Sequence, residues 1–346
     1  MTAENKILVA EEELESRVLS ALSEAGASQP SAAAATHAML HASRLGVDSH
    51  GVRLTEHYCT MLGGGRLNKS PHLIVDQRGA GSATVNGDDG LGHYASYRAV
   101  EVGCELAAQS GIAGISVTHS SHFGAAGAYA LHGAEKGFIT LATTNTDSMV
   151  ALFDGATRFH GTNPLAIGAP VPNQRPWLLD MATSSIPMNR VRLYQSLGQE
   201  LPAGVAADAK GQPTASAAMA DMLIPLGGMD YGYKGAALAG LATILSAALS
   251  GSTLDPDFIP MFGSSDISTP RNMGHFFLVI DPDKYIGREA FGAAMTLYLA
   301  SLRRAPAREG GNGVMAPGDR EWAVAEERKT GGIPIDRDTA RFLRLG

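Results

Sequence analysis

At 346 residues, with 45% hydrophobic and 18% charged side chains, the chain has an ordinary folded composition and length for one large or two interlocked domains. Its 27 Lys and Arg are outnumbered by 34 Asp and Glu, and no basic run breaks that balance, which excludes a nucleic-acid binder. Cys59 and Cys104 stand far apart, so neither a disulfide framework nor a metal site is expected, and a reducing, cytoplasmic setting fits.

Met1 to Glu15 is polar and acidic and lacks the apolar run of a signal peptide. From Ile7 to Met61 the chain reads as helical. Acidic and apolar residues alternate at helical spacing from Glu11 to Ala25, and an Ala-rich stretch from Ser31 to Arg44 follows Pro30, which suits a first helical turn. Gly63-Gly64-Gly65 breaks that run. Beyond about Pro71 short β-type runs alternate with helices. Strands are expected at Ser82–Asn86, Ile112–Thr118, Phe138–Thr143, Leu165–Ala169, Trp177–Asp180 and His275–Asp281. Helices are expected at Tyr94–Gln109, Ala125–Glu135, Tyr233–Leu249 and Arg288–Leu302. Gly235–Gly251 is too short and too rich in small residues to span a membrane and reads as a buried core helix. Ala203–Ser216 and Gly310–Gly313 read as surface loops, and the tail after Leu302 as loop-rich. The fold class is α/β, mixed α+β, with a helical N-terminal part bounded near residue 70.

Gly90-Leu91-Gly92-His93-Tyr94-Ala95 fits the glycine pattern of a dinucleotide-binding turn and lies between a strand and a helix. The carboxylate that should end the next strand is missing: that strand ends at Thr118-His119-Ser120. The segment therefore reads as a glycine-rich turn, and a Rossmann site is not expected.

Polar groups cluster in five other places. Arg44 to Arg53 offers His50, its neighbours Asp48 and Ser49, and two guanidinium groups, Arg44 and Arg53. An imidazole of neutral range can exchange the proton of a carbonyl or alcohol oxygen, and an Arg can clamp a carboxylate. The same residues would also serve as a polar loop with a cap. His119 to Gly124 lies at a strand-to-helix junction suited to an anion, with His122 as a second acid/base candidate and a solvent-facing His as the alternative. Thr143 to Ser148 and Gly161-Thr162-Asn163-Pro164 present hydroxyls and amides, or are simply turns. Asp180, at a strand end, is placed for ribose hydroxyls. Lys234 enters an apolar helix, where it either meets a ligand or reaches back to the surface.

Taken together, Gly46-Val47-Asp48-Ser49-His50-Gly51-Val52, Asn86-Gly87, Ser120-Ser121-His122-Phe123-Gly124, Gly161-Thr162-Asn163-Pro164, Asp180-Met181-Ala182-Thr183-Ser184, Lys234-Gly235, Pro317 to Glu321 and Gly332-Ile333-Pro334 resemble the type-2 malate/L-lactate dehydrogenase family, in order and over nearly the whole chain. The resemblance implies a non-Rossmann nicotinamide-binding domain over residues 71–304. It also implies a helical part, residues 1–70, packed with residues 305–346, and a homodimer. The implied reaction is NAD- or NADP-dependent interconversion of a 2-hydroxy acid and a 2-oxo acid, with NAD the first choice. A cyclic imino-acid reductase and a non-catalytic nicotinamide-binding protein are the alternatives. His50, assisted by Ser49, and His122 correspond to proton-handling residues. Arg53, Thr162 and Arg44 are the substrate candidates. The cofactor candidates are His122, Phe123, Gly124, Thr146, Asp180, Met181, Ala182, Lys234, Pro317, Gly318 and Asp319. Three positions depart from the pattern: Arg53 is offset by one, Arg190 stands where some members have an assisting Asp, and Tyr233 replaces the usual His. No membrane or nucleic-acid partner is expected.

Overall fold

The structure, a computed structural model, describes residues 6–261 and 263–345. Residues 1–5 of the acidic N-terminal stretch, and residue 346 of the expected C-terminal part, lie outside the described residues.

Strand β1 (Lys6–Val9) opens the fold, followed by α1 (Glu11–Glu24) and α2 (Gln29–Arg44). Three glutamates fill the first turn of α1, where negative charge suits the helix dipole, and Leu14, Val18 and Leu22 recur on its buried face. Two 3₁₀ turns, Asp48–His50 and Val52–Leu54, lead into α3 (Thr55–Gly64). Next come β2 (Ile74–Gly79), β3 (Ser82–Asn86), α4 (Gly92–Ser110), β4 (Ile112–Ser120), α5 (Gly127–Glu135) and β5 (Ile139–Thr144). Short strands β6 (Val150–Ala151) and β7 (Arg158–His160) precede β8 (Leu165–Ala169), β9 (Trp177–Met181), α6 (Met188–Ser196), β10 (Ala206–Ala207) and β11 (Met222–Leu223). Helix α7 (Gly228–Thr243) continues into a π turn, Ile244–Ala248. Strand β12 (Met273–Ile280), α8 (Arg288–Arg303), α9 (Asp319–Gly331), β13 (Ile333–Asp336) and α10 (Arg337–Phe342) complete the order.

The main sheet runs β2-β3-β4-β12-β5-β8-β9. Strands β3 and β4 pair in parallel, while the other neighbours are antiparallel, so this is a mixed α+β sheet and not a doubly wound parallel one. Val100 of α4 and Tyr129 of α5 share a core with Ile115 and Phe277 of the sheet, and α2 joins it through Ala38. A second core packs α1, α2 and α3 with Ile333, Ile335, Ala340 and Leu343 from the other end of the chain, where β1 pairs with β13. Each fully buried Leu there contributes about 1.5–3 kcal/mol. A third cluster joins Val150, Val191, Ala206 and Leu223 around the small sheet β10-β11-β6-β7.

Four expectations are corrected. Ile7 lies in β1, not in a helix, because β13 supplies its hydrogen-bonding edge. The tail is not loop-rich: it forms α9, β13 and α10, the last capped by Asp336, whose carboxylate accepts from the Thr339 amide. Residues 203–216 are not all surface loop, since Ala206 and Ala207 pair with β11 and are buried. The apolar α7 segment is not a buried core helix. Small residues, Gly235, Ala239, Ala242 and Ala247, face inward, and Tyr231, Tyr233, Leu241, Ile244 and Leu249 are exposed.

Candidate active site

Ser49 and His50 lie in the first 3₁₀ turn, Arg53 in the second, and α3 follows directly, so this whole segment borders one cavity of about 480 Å³. His122 arrives from the turn after β4, Thr146 and Asp147 from the turn after β5, Thr162 from the turn before β8, and Ala182 from the end of β9. Five segments that are far apart in sequence thus meet at one cleft.

Glycine makes this convergence possible at two places. The amide of Gly92 donates to the Ser121 hydroxyl, and a Cβ on Gly92 would sit 2.1 Å from the Ser121 carbonyl oxygen. The Gly90–Ala95 glycine turn therefore serves to seat the His122 loop, not to approach a phosphate. At Gly127, the first residue of α5, the amide donates to Asp180 Oδ2 at 3.0 Å, and a Cβ would meet that oxygen at 2.6 Å.

His50 Nδ1 lies 2.9 Å from the Ser49 hydroxyl. Its ring is hemmed by chain although water reaches it from the cavity, and desolvation, then the Arg53 charge, lowers its pKa to about 4. The His122 ring stacks on it at 5.8 Å between centroids. His122 is lowered well below the usual imidazole range by desolvation, then by His50, His93, His57 and Arg271. Tyr58, fully buried in α3, places its hydroxyl 2.7 Å from His122 Nδ1.

The loops that carry Thr146 and Thr162 rest on a buried carboxylate. Asp255 accepts from Asn145 Nδ2 at 2.8 Å, from Asn163 Nδ2 at 2.7 Å and from the Gly161 amide at 3.2 Å, with His160 Nδ1 at 3.1 Å. Asn163 in turn accepts the Thr146 amide at 2.9 Å, and the Thr162 carbonyl accepts the Thr183 amide at 2.9 Å. Desolvation pushes the Asp255 carboxyl up, but the donors around it outweigh this and hold it below its ordinary value.

Other expected residues fall elsewhere. Arg44 pairs with Glu11 at 3.3 Å and does not line the cavity. The Phe123 ring is buried against His275 and does not line the cavity, and the Gly124 amide lies 3.4 Å from His122 Nδ1. Lys234 does not meet the cavity: it is exposed, with Nζ 5.3 Å from the Tyr231 ring centroid. The Pro317 carbonyl accepts from the Leu178 amide of β9, bringing the Pro317-Gly318-Asp319 loop beside the strand that carries Asp180 and Met181, and Asp319 pairs with Arg303. Arg190 is exposed on α6, between the cavity-lining Asn189 and Arg192, and does not line the cavity itself.

Asp180 is open to solvent yet flanked by protein, and desolvation raises its carboxyl to about 6 against the Gly127 hydrogen bond. Two residues further on, Ala182 lines the cavity. One strand end thus carries both the Asp180 carboxylate and the cavity wall at Ala182, and these residues would fit the ribose and the reactive ring of a dinucleotide.

Sequence reasoning missed Tyr58, His57, Arg192 and Asp255. Tyr58 carried one signal, its place eight residues after His50 on the helix that leaves the same loop.

The family described as malate/L-lactate dehydrogenase matches residues 9–344. The chain is 32% identical over 338 residues to a malate dehydrogenase of Pyrococcus abyssi, covering 96% of this chain and 92% of that one. It is 28% identical over 335 residues to the ureidoglycolate dehydrogenase (NAD(+)) of Escherichia coli K12, covering 97% and 94%. The solved structure of malate dehydrogenase from Pyrococcus horikoshii OT3 superposes with a TM-score of 0.88 at 29% identity, over 100% of this chain and 98% of that one.

Proposed function

The chain belongs to the malate/L-lactate dehydrogenase family and is an oxidoreductase between 2-hydroxy and 2-oxo acids; we propose that it works with NAD and that His50 carries the proton. The observation that carries this reading is the cleft in which His50, His122, Arg53, Thr146, Thr162 and Ala182 meet.

The nicotinamide, when bound, would supply the hydride chemistry at C2 of the substrate. The residues that would hold the dinucleotide are Asp180 at the ribose, the Phe123-Gly124 turn, Thr146, Met181 and Ala182 along the wall, and the Pro317 to Asp319 loop. Arg53 takes the substrate carboxylate, a pairing whose planar fork suits two oxygens. Thr162 offers its hydroxyl beside it. His50, polarised through Nδ1 by Ser49, removes the hydroxyl proton in oxidation and returns it in reduction. NAD is favoured over NADP because Glu321 adds its charge to that of Asp180, and two carboxylates repel a 2′-phosphate.

The exposed apolar row along α7 and the π turn after it, with Ile244 and Leu249 each 60% exposed, supports a homodimer through that face. Two thiols with no disulfide, Cys59 and Cys104, suit a reducing cytoplasm. We take residues 1–70 with 305–346 as one structural unit and 71–304 as the cofactor-binding one.

The test is a panel of 2-oxo acids, run with NADH and NADPH in parallel. Oxaloacetate or another 2-oxo acid should oxidise NADH faster than NADPH. Turnover of cyclic imino acids alone would reassign the substrate, and cofactor binding without oxidation by any of them would overturn the reading.

A further inference from the structure

We propose that Tyr58 is a positioning residue that fixes His122 as a neutral hydrogen-bond donor, leaving His50 as the group that moves the proton. This rests on the reaction proposed above and assigns the two histidines different work.

His122 Nδ1 has two neighbours that bear hydrogen. The Tyr58 hydroxyl stands 2.7 Å away and the Gly124 amide 3.4 Å away. An amide N–H can only donate. Were Nδ1 protonated, two N–H groups would face each other at that distance, so Nδ1 is the bare nitrogen and Tyr58 donates to it. The Tyr58 hydroxyl has its own reason to donate. Its residue is 1% exposed, a buried hydroxyl needs an acceptor, and among the described residues His122 Nδ1 is the acceptor that faces it. The neutral ring then carries its hydrogen on Nε2, the edge left for the cavity.

The surroundings keep His122 in that state. His50 and His57 flank it, and the edge of the buried His93 ring meets the Tyr58 ring at 4.9 Å. Arg271 is ion-paired to Asp147, while Glu56 lies on the cavity wall; burial first, then His50, His93, His57 and Arg271, keep the imidazole from its cation. Tyr58 is held well above the ordinary phenol range by burial and does not give up its proton. A proton removed from His122 Nε2 could not be replaced from behind.

The chemistry follows. A fixed Nε2–H aimed at the substrate oxygen stabilises charge as it develops there without transferring a proton, the most effective way for a preorganised donor to act. His50, whose Nδ1 meets a hydroxyl that can either donate or accept, is free to change protonation state. His122 serves as the electrophilic donor, His50 as the acid and base.

The experiment is long-range ¹H–¹⁵N spectroscopy of the full-length protein labelled at histidine nitrogen, with His122 assigned from His122→Gln. Wild type should show the Nε2–H tautomer at His122. Tyr58→Phe, which keeps shape and removes the donor, should give a tautomer mixture and roughly a tenfold lower kcat with unchanged cofactor affinity. An Nδ1–H pattern in wild type, or wild-type kcat in Tyr58→Phe, overturns the proposal. Should no 2-oxo acid be turned over by wild type, the reaction assignment fails, while the tautomer at His122 is still read directly.

Discussion

The imidazole of His50 lies over that of His122, ring centroids 5.8 Å apart and planes 19° from parallel. Two rings so placed do not both hold a positive charge, and each disfavours protonation of the other. With His50 held at about 4 by desolvation and then Arg53, the free enzyme presents it neutral across the physiological range. Neutral His50 is the form that accepts a proton. Oxidation of the 2-hydroxy acid should therefore show a flat kcat/KM in neutral solution and decline only as pH falls toward about 4. In His50→Gln, oxidation should slow on the order of a hundred- to ten-thousandfold. A break in the oxidation profile between about pH 6 and 8 that vanishes in His50→Gln would contradict this.

Arg53 and Arg192 border the same cavity from the second 3₁₀ turn and from α6. In the proposed reading one guanidinium would hold the carboxylate beside the reacting carbon, and a second anionic group on the substrate would reach the other. Arg53→Gln should raise KM for pyruvate and oxaloacetate alike, by roughly ten- to a hundredfold for a lost charge-assisted contact. Arg192→Gln should raise KM for oxaloacetate by a similar factor and leave pyruvate almost unchanged. Equal effects of Arg192→Gln on both substrates would remove it from substrate selection.

Asp255 holds Asn163, and Asn163 holds the Thr146 amide. Replacing the carboxylate by an amide puts an NH₂ group among donors, a mismatch worth about 3–5 kcal/mol at a buried charged site. Asp255→Asn should lower the melting temperature by several degrees and reduce kcat as the Thr146 and Thr162 loops lose their anchor. The wild-type carboxyl, held below its ordinary value, stabilises the fold above the ordinary carboxylate range, and that contribution is lost as pH falls through the lowered value. Acid unfolding should therefore shift upward in pH in any variant that strips Asn145 or Asn163 from it. Melting curves across acidic pH test both statements.

What the sequence reveals is chemistry that is local. Ser49-His50 shares one turn, Thr162-Asn163 borders a strand, and Asp180 ends one, so residue type and position suffice to mark them. What it hides is chemistry assembled by the sheet. Tyr58 reaches His122 across 64 positions and Asp255 reaches Asn163 across 92, separations at which no spacing rule operates. Strand β12 was legible as a strand, but nothing in it says that it inserts between β4 and β5. Strand β2 escaped because it is an exposed edge whose polar Asp76, Gln77 and Arg78 show no buried alternation. The helix around Lys234 was misjudged for a different reason. Composition alone does not tell an apolar face turned to the core from one turned outward.

That outward face yields a test of assembly. Leu241, Ile244 and Leu249 are exposed together at the end of α7 and the π turn that follows. Ile244→Lys should convert the proposed dimer to a monomer in light scattering after size exclusion while preserving the far-ultraviolet spectrum. An unchanged mass would place the dimer contact elsewhere.

The last prediction concerns the pairing of Gly127 with Asp180. A methyl group at Gly127 would lie 2.6 Å from Asp180 Oδ2 and 3.1 Å from its Cγ, while the Gly127 amide still donates to that oxygen. Helical backbone accepts Ala readily, so the strain falls on the carboxylate and not on α5. In the proposed cofactor site, a displaced carboxylate would no longer meet the ribose hydroxyls. Gly127→Ala should raise the dissociation constant for NADH about tenfold, the value of one or two hydrogen bonds, with little change in melting temperature. Asp180→Ser removes the charge instead, and should narrow the preference for NADH over NADPH by admitting the 2′-phosphate. The two variants separate position from charge. Fluorescence titration of both cofactors reads them. Wild-type NADH affinity in Gly127→Ala, together with an unaltered NADH to NADPH ratio in Asp180→Ser, would take Asp180 out of the cofactor site.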